Sequence, residues 1–262
     1  MRQLLSRIDV QESEANIRDH LRDFFNDTWY RDRHLITSKE RTDLVIHADK
    51  TAKSPAAVLF EVKRPKNTAE MVTPENLNRK ALQELVLYYL RERVEHENRS
   101  IKTLIITDIH TWFLFDENDF ERHIYHNKKL VEYYQTAKDS EKNTDVIYKT
   151  IGKDFLPDIV GNLNFTYFDL RDFEKTAFDE DPKNDHTLIP LYKGLSPVHL
   201  LRLPFANDSN SLDKPFYNEL LHLIGLEETK VGGKKIIARK TVAQRHPGSL
   251  LENTIATLET ED

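Results

Sequence analysis

Cysteine is absent from this 262-residue chain, and glycine is scarce. Without cysteine the chain cannot form a disulfide bond, use a thiol nucleophile or bind zinc through thiolates. The first of its 7 glycines is Gly152, so the residues before it cannot contain a dinucleotide-binding glycine turn or a P-loop. The later pair Gly232-Gly233 lacks the flanking residues of a phosphate loop. The sequence thus provides no recognisable site for a nucleotide or for S-adenosylmethionine.

Long apolar runs are also missing. No segment approaches the roughly 18 consecutive apolar residues of a membrane span, and the N-terminus "MRQLLSRIDV" lacks the apolar core of a signal peptide. With 39% hydrophobic and 31% charged residues, we expect a soluble, cytoplasmic protein that does not contact membranes. The net charge of −6 argues against a purely electrostatic nucleic-acid binder. It does not argue against a nuclease, because a nuclease needs carboxylates to hold its metal.

The apolar periodicity predicts alternating helices and strands. Helical spacing in "SEANIRDHLRDFF" predicts a helix with Ser13 as a plausible cap. Thr73-Pro74 is a helix-start signal for the long segment "ENLNRKALQELVLYYLRERVEHEN". The candidate strands are "TDLVIHAD", "AAVLFEVKRP", "SIKTLIITD", "HTWFLFDE" and "LNFTYFDL". This order predicts an α/β sandwich around a mixed sheet.

An acidic polar stretch, "FDEDPKNDH" at 178–186, is the best candidate boundary between domains. We expect an α/β domain over residues 1–177 and a mainly helical extension over 187–262. In the extension, Asp213 and Gly225 are predicted to open and close one helix. The segment "GKKIIARK" is predicted to form a short basic strand or hairpin arm.

The segment "AAVLFEVKRPK" contains the most informative residues. Read as a strand, it points Val58, Phe60 and Val62 into a core, and Glu61 and Lys63 to the other face. Charges at the end of a core strand are costly unless they are paired, hydrated or bound to an ion. One alternative is a plain ion pair between Glu61 and Lys63 on an edge strand.

An acidic residue on the preceding strand gives Glu61 and Lys63 a further interpretation. Asp43 begins "TDLVIHAD" and can lie beside Glu61 if the two strands pair. An acid followed about 18 positions later by Glu-x-Lys at a strand end resembles the PD-(D/E)XK nuclease superfamily. The resemblance implies an αβββαβ core. It also implies a site in which carboxylates bind Mg²⁺, or Mn²⁺ as a substitute, and a lysine positions the attacking water.

By this resemblance, Asp43, Glu61 and the carbonyl of Val62 would ligate the metal. Glu14 at the start of the first helix would complete the site directly or through water. Glu12 competes with Glu14 for this role, and either acid could simply favour the helix N-terminus.

Gln83, on the helix after the Glu-x-Lys strand, resembles a glutamine that several of these families carry with a tyrosine four residues later. Here residue 87 is leucine and the tyrosines are Tyr88 and Tyr89, so the match is incomplete. The alternative is a plain surface role for Gln83.

Basic residues near this motif and near the C-terminus are candidate contacts to DNA. Lys63, Arg64 and Lys66 adjoin the predicted site. A second basic segment includes Lys234, Lys235 and Arg239, and it could contact phosphates or form only a solvated hairpin.

Longer segments also resemble the N-terminal part of type IIG restriction-modification proteins. These segments are "ANIRDHLRDFFNDTWY", "RTDLVIHADKTAKSPAAVLFEVKRPKNTAEM", "LQELVLYYLRERV" and "HLLRLPFANDSNSLDKPFYNELLHLIGLEE". The resemblance, from about Ser6 to Glu259, implies a nuclease and connector without the methyltransferase portion. We therefore expect a DNA endonuclease that leaves 5′-phosphate and 3′-hydroxyl ends.

The expected partners of this nuclease are double-stranded DNA, a methyltransferase or target-recognition portion in the same or an adjacent polypeptide, and a second copy for double-strand cleavage. One alternative is a DNA-binding or docking module that does not cleave. A further alternative is a nuclease that works with a helicase in a larger restriction complex.

Overall fold

Two compact units make up the chain. The computed structural model describes residues 1–9, 11–39, 42–51, 53–179, 181–203, 214–231 and 234–260. Contacts divide the chain into a first unit, Met1–Leu203, and a second unit, Pro204–Asp262. Within the described ranges, no helix has the length and apolar character needed to cross a bilayer.

A six-stranded mixed sheet forms the centre of the first unit among its described residues, and the strands lie in chain order. Strands β3 and β4 pair in parallel, and every other neighbouring pair is antiparallel. The strands are β1 (Ile36–Lys39), β2 (Thr42–His47), β3 (Ala56–Val62), β4 (Thr103–Thr107), β5 (Thr111–Asp116) and β6 (Phe165–Asp169).

Helices cover both faces of this sheet and give the predicted α/β sandwich. Helix α2 contributes to the apolar core on one face, and α3 contributes to the core on the other. The helices of the first unit are α1 (Arg2–Ser6), α2 (Glu14–Phe25), α3 (Lys80–Leu90), α4 (Glu117–Phe120), α5 (Lys128–Asp139), α6 (Thr144–Thr150), α7 (Leu156–Ile159), α8 (Glu174–Phe178), α9 (Ile189–Leu195) and α10 (Pro197–Leu200). The order α2, β1, β2, β3, α3, β4 places α3 in the crossover between the two parallel strands.

Strand β3 is buried along its whole length, as a central strand between two helical layers should be. Its side chains alternate as the sequence predicted: Val58, Phe60 and Val62 pack in the core with α2. Leu59 packs in the core with α3. The same alternation puts Glu61 on the α3 side, so the carboxylate is carried into the interior by the strand itself.

Two local predictions differ from the structure. Strand β1 was not predicted, because Ile36 is the only apolar residue of "ITSK". Helix α3 begins at Lys80 rather than near Thr73, because Asn76 donates its backbone N–H to the carbonyl and the hydroxyl of Thr73 and closes a turn there. Arg79 then has an extended backbone and serves as the N-cap.

The acidic stretch 178–186 lies inside the first unit rather than at its end. Residues after it pack into the core with α2, and the hydroxyl of Tyr30 donates a 2.8 Å hydrogen bond to the carbonyl of Leu195. This packing occurs because α9 and α10 have apolar faces, which local polarity in 178–186 cannot reveal. The buried leucines of the first unit after that stretch are Leu188, Leu191, Leu195, Leu200 and Leu201.

The second unit combines two helices with a hairpin. Its described elements are α11 (Lys214–Ile224), β7 (Leu226–Val231), β8 (Lys234–Arg239) and α12 (Leu250–Thr260). Gly225 ends α11 with a positive φ of 99°, and its N–H donates to the carbonyl of Leu221, as a helix C-cap requires. The predicted basic strand is therefore β8, whereas Asp213 lies outside the described residues.

The packing of α9 and α10 predicts where the first unit can be shortened. A fragment of residues 1–203 should unfold cooperatively, whereas a fragment of 1–177 should be unfolded or much less stable. The shorter fragment loses four leucines of the core with α2, each worth about 1.5–3 kcal/mol. Thermal unfolding followed by circular dichroism measures this difference. Equal melting temperatures for the two fragments would contradict the assignment of 187–203 to the first unit.

Candidate active site

Sequence-predicted residues meet where β2 and β3 end together. Leu44 pairs with Phe60 in the antiparallel register, and one further step places Asp43 opposite Glu61. Beyond β3, the backbone N–H of Lys63 donates to the carbonyl of Thr107 at 2.9 Å, which continues the contact with β4. Asp43, Glu61 and Lys63 are therefore held by three neighbouring strands of the central sheet.

Glu61 is a buried carboxylate with an incomplete set of partners. The residue is 1% exposed, and its Oε1 lies 2.5 Å from Nζ of Lys63. Among the residues that the structure describes, its buried Oε2 accepts no hydrogen bond of good geometry, although the Tyr88 side chain lies close enough to interact with the carboxylate. Burial, together with repulsion from Asp43, raises the pKa of Glu61 well above its ordinary value despite the attraction of Lys63. This oxygen is the kind of atom that a bound cation would satisfy.

Lys63 is surrounded by glutamates from three segments of the chain. Its Nζ lies 2.5 Å from Glu61, 2.6 Å from Oε2 of Glu84 and 3.7 Å from Oε2 of Glu70. We call Lys63 and these three glutamates the Lys63 cluster. Burial by itself would lower the pKa of Lys63, but Glu61 and Glu84 outweigh burial and raise it. Lys63 is therefore a fixed cation at neutral pH and not a proton acceptor.

Asp43 is held by donors from two directions. Its Oδ2 accepts a 2.8 Å hydrogen bond from the backbone N–H of Val62, and its Oδ1 accepts one of 2.9 Å from Nη1 of Arg18. Burial nevertheless raises the pKa of Asp43, because the loss of hydration outweighs these two donors and the charge of Lys63. Asp43 and Glu61 are thus two poorly solvated carboxylates side by side.

Glu14 and Glu12 differ clearly in the structure. Glu14 is the first residue of α2, and Ser13 caps the helix by accepting a hydrogen bond from the N–H of Asn16. Glu14 lies close enough to Asp43 to raise its pKa by repulsion. Glu12 instead lies 2.9 Å from Nε2 of His20. Of the two acids, the structure brings Glu14 towards the candidate site.

The oxygen donors are those that a hard cation prefers, although they do not form a ready-made cage. Within the described ranges, no group of three or more Asp, Glu, His or Cys side chains is arranged to hold a metal ion. The available donors are the carboxylates of Asp43 and Glu61, which lie side by side, and that of Glu14 nearby. The buried Oε2 of Glu61 accepts no hydrogen bond of good geometry from the described residues. Such a set fits Mg²⁺, which usually binds through one or two carboxylates and keeps several waters.

Gln83 does not join this cluster. Its Nε2 donates to Oδ1 of Asn78 at 3.1 Å, and Asn78 in turn donates to the carbonyl of Gly152 at 2.7 Å. The side chain lies directly over Gly152, where an added Cβ would stand 2.3 Å from Nε2 of Gln83. In the structure, Gln83 therefore packs α3 against the helical segment that contains Gly152.

The next residue on α3, Glu84, belongs to the Lys63 cluster, and Tyr88, one turn later, lies beside it. Burial raises the pKa of Tyr88, and the nearby carboxylates of Glu61, Asp43 and Glu84 raise it further. Lys80, one turn before Glu84, binds Oε1 of Glu70 at 3.0 Å. These residues were not predicted from the sequence. The detectable sign was polar residues at every fourth position, Lys80, Glu84 and Tyr88, along a helix whose other residues, apart from Gln83 and Tyr89, are apolar.

The predicted DNA-contacting residues fall into two groups. Arg64 and Lys66 are exposed, and Lys66 donates a 2.8 Å hydrogen bond to Oε1 of Gln11. In the second unit, Lys235 lies 3.1 Å from Glu228, and Arg239 lies 2.7 Å from Glu252. The side chain of Lys234 lies outside the part that the structure describes. Much of the positive charge of the hairpin is thus balanced within its own unit.

Comparisons with protein families cover the whole chain. Residues 1–208 match the family described as Domain of unknown function (DUF7149). The chain belongs to the DUF7149 family. Residues 209–262 match a second family, Domain of unknown function (DUF7814). The junction between these two matches lies beside the division of the chain into its two compact units.

No curated protein and no solved structure matches the chain. The Lys63 cluster and the facing Asp43 and Glu61 are therefore the observations on which a functional proposal can be based.

Ionisation of the buried carboxyl group of Glu61 is expected to lower the stability of the folded protein. A raised carboxyl pKa means that the folded state binds the proton more tightly than the unfolded state. The resulting stability loss is absent below the ordinary pKa of about 4.5 and grows as the pH rises towards the folded-state pKa. Relative to the wild type, Glu61→Gln should therefore be more stable at about pH 8 than near pH 5, because ionisation of Glu61 destabilises only the wild type as the pH rises.

Thermal unfolding of the wild type and Glu61→Gln at the two pH values measures this effect, at about 2–4 °C per kcal/mol. Glu228→Gln is the matched control, because Glu228 pairs with Lys235 at the surface of the second unit. It should change the stability by less than about 0.5 kcal/mol. A difference in melting temperature between Glu61→Gln and the wild type that does not increase from about pH 5 to about pH 8 would contradict the prediction.

Proposed function

We propose that the chain is a metal-dependent DNA endonuclease of a restriction-modification system. One observation carries the proposal: Asp43 and Glu61 face each other on neighbouring strands, with the ammonium group of Lys63 2.5 Å from Glu61. Two carboxylates beside a fixed cation are what phosphodiester hydrolysis with a divalent metal requires.

The arrangement of the first unit supports the same proposal. Its order α2, β1, β2, β3, α3, β4 corresponds to the αβββαβ core that the PD-(D/E)XK resemblance implies. The three motif residues come from β2 and from the end of β3, next to the parallel strand β4. We therefore include the PD-(D/E)XK fold in the proposal.

The proposed cofactor is Mg²⁺, with Mn²⁺ as a substitute. Asp43, Glu61 and the backbone carbonyl of Val62 would hold the ion, and Glu14 would complete the site directly or through water. A divalent cation bound there would act as a Lewis acid on the scissile phosphate and would favour ionisation of water. Its charge would also relieve the repulsion between the buried carboxylates of Asp43 and Glu61.

The side chains of the cluster have distinct proposed roles. Lys63 is protonated, so it would orient the attacking water and offset the negative charge that develops on the phosphate. Glu84 and Glu70 would hold the lysine in place from α3 and from the loop before it. Water would attack phosphorus, the bond to the 3′ oxygen would break, and that oxygen would take the proton. The products would carry 5′-phosphate and 3′-hydroxyl ends.

The proposed substrate is double-stranded DNA, and the chain would not select its target alone. Arg64 and Lys66 are exposed next to the cluster and would contact the DNA backbone. Recognition would come from a methyltransferase or target-recognition portion in the same or an adjacent polypeptide. A second copy would supply the cut in the other strand.

A docking module that binds DNA without cleaving it is the alternative. It is favoured by the engagement of both oxygens of Asp43 with protein donors and by the three glutamates that already neutralise Lys63. In that case the buried charges would serve only to fix the geometry of the sheet end.

Isosteric changes at the facing carboxylates test the nuclease proposal. Asp43→Asn and Glu61→Gln should each lower Mg²⁺-dependent cleavage of supercoiled plasmid at least about 100-fold, because each removes a charged ligand of the proposed metal ion. The control Glu228→Gln changes another Glu-x-Lys sequence, far from the cluster in the chain, and should cut at the wild-type rate. Cleavage by both site variants at the wild-type rate would refute the proposal.

Calorimetric titration with Mn²⁺ separates the nuclease from the docking module. The nuclease proposal expects Asp43→Asn to weaken Mn²⁺ binding about 10–100-fold, the loss typical when a metal site loses one partner. A docking module has no reason to lose metal affinity on this change. Equal Mn²⁺ affinities for the wild type and Asp43→Asn would therefore favour the docking module.

A further inference from the structure

The guanidinium of Arg18 lies against Oδ1 of Asp43, where it would compete with a divalent cation for that oxygen. Nη1 of Arg18 donates to Oδ1 at 2.9 Å, while Oδ2 is engaged by the backbone N–H of Val62 at 2.8 Å. The amide belongs to the end of a sheet strand and cannot leave without disturbing β3. The guanidinium is on a side chain and can move. Of the two donors on Asp43, Arg18 is therefore the exchangeable one.

Exposure distinguishes Arg18 from the other cation at the site. The side chain of Arg18 is 30% exposed, whereas that of Lys63 is 4% exposed. Within the described residues, Arg18 makes one hydrogen bond, to Asp43, so most of its five N–H donors remain available. Arg18 is therefore the more accessible of the two cations to a ligand that arrives from solvent.

A third carboxylate, that of Glu14, lies near the ion pair between Arg18 and Asp43. Glu14 lies one turn before Arg18 on α2 and is half-buried. Its carboxylate forms no hydrogen bond or ion pair with any residue that the structure describes. Its charge already acts on Asp43. If Arg18 moved away, Asp43, Glu61 and Glu14 would form a group of three carboxylates that no cation on α2 neutralises.

The surface beside Arg18 carries the cations proposed to meet DNA. Lys66 binds Gln11, which lies two residues before the cap of α2, so the segment after β3 lies against the start of that helix. Arg64, in the same segment, is exposed. A phosphate held by Arg64 and Lys66 would therefore lie on the edge of the molecule where α2 presents Arg18.

We propose that Arg18 couples metal binding to DNA binding. Without DNA, Arg18 pairs with Asp43 and disfavours a divalent cation. A backbone phosphate then takes the guanidinium, which binds phosphate oxygens in a two-pronged geometry, and Asp43 is released for the metal. This inference rests on the proposed nuclease function. It makes Arg18 a positioning residue that restrains the site until substrate is bound.

Mn²⁺ affinity of the full chain without DNA tests the coupling by calorimetry. Arg18→Gln should bind Mn²⁺ about tenfold more tightly than the wild type, within the usual range of coupling between two sites. The control Arg22→Gln removes the same charge one turn further along α2, where Arg22 pairs with Asp19 at the surface. It should leave the affinity unchanged. Arg18→Gln combined with Asp43→Asn should lose the gain.

A short DNA duplex, added before the Mn²⁺ titration, provides the second test of the coupling. It should raise the Mn²⁺ affinity of the wild type to about that of Arg18→Gln, and leave Arg18→Gln nearly unchanged, after subtraction of the binding to DNA alone. By reciprocity, Mn²⁺ should strengthen duplex binding by the wild type by the same factor.

Two results would overturn the coupling: an Mn²⁺ affinity of Arg18→Gln equal to or below that of the wild type, or an equal gain for Arg22→Gln. Failure of the nuclease proposal looks different. In that case, neither the wild type nor Arg18→Gln would bind Mn²⁺ at Asp43, with or without DNA.

Discussion

The buried contact between Glu61 and Lys63 is the constraint on which the rest of the site depends. A carboxylate that is 1% exposed is tolerated only when charge or hydrogen bonds replace its hydration. Lys63 satisfies one oxygen of Glu61, and within the described part of the chain the other oxygen accepts no hydrogen bond of good geometry. The arrangement follows from the fold, because β3 is covered on both faces and carries Glu61 inward by strand alternation.

Neutralising Lys63 requires contributions from distant parts of the chain. Glu84 reaches it from α3, and Glu70 reaches it from the loop that precedes α3. Glu70 also binds Lys80, so the loop and the helix are tied to the end of β3 by a chain of alternating charges. Buried networks of this kind are poor sources of stability, since each charge loses hydration.

The electrostatics of the two units point to different roles. At the end of the sheet, the buried and half-buried acids outnumber the buried and half-buried bases, and the pKa values of Asp43 and Glu61 are raised, so this region favours a further cation. In the second unit, Lys235 and Arg239 have acidic partners close by. Arg64 and Lys66 are therefore more available to a phosphate than the paired residues of the hairpin. This contrast underlies both the nuclease proposal and the role proposed for Arg18.

The sequence alone determined the local features: strand β3 with its alternating faces, the Ser13 cap of α2, and the pairing of charges at a strand end. These depend on neighbours within a few residues, where periodicity and capping chemistry operate. Tertiary structure decided that Glu84 rather than Gln83 contacts Lys63, and that Arg18 holds Asp43. It also decided that residues 187–203 complete the first unit. Each of these outcomes joins segments far apart in the chain, and the packing of whole helices against the sheet selects them.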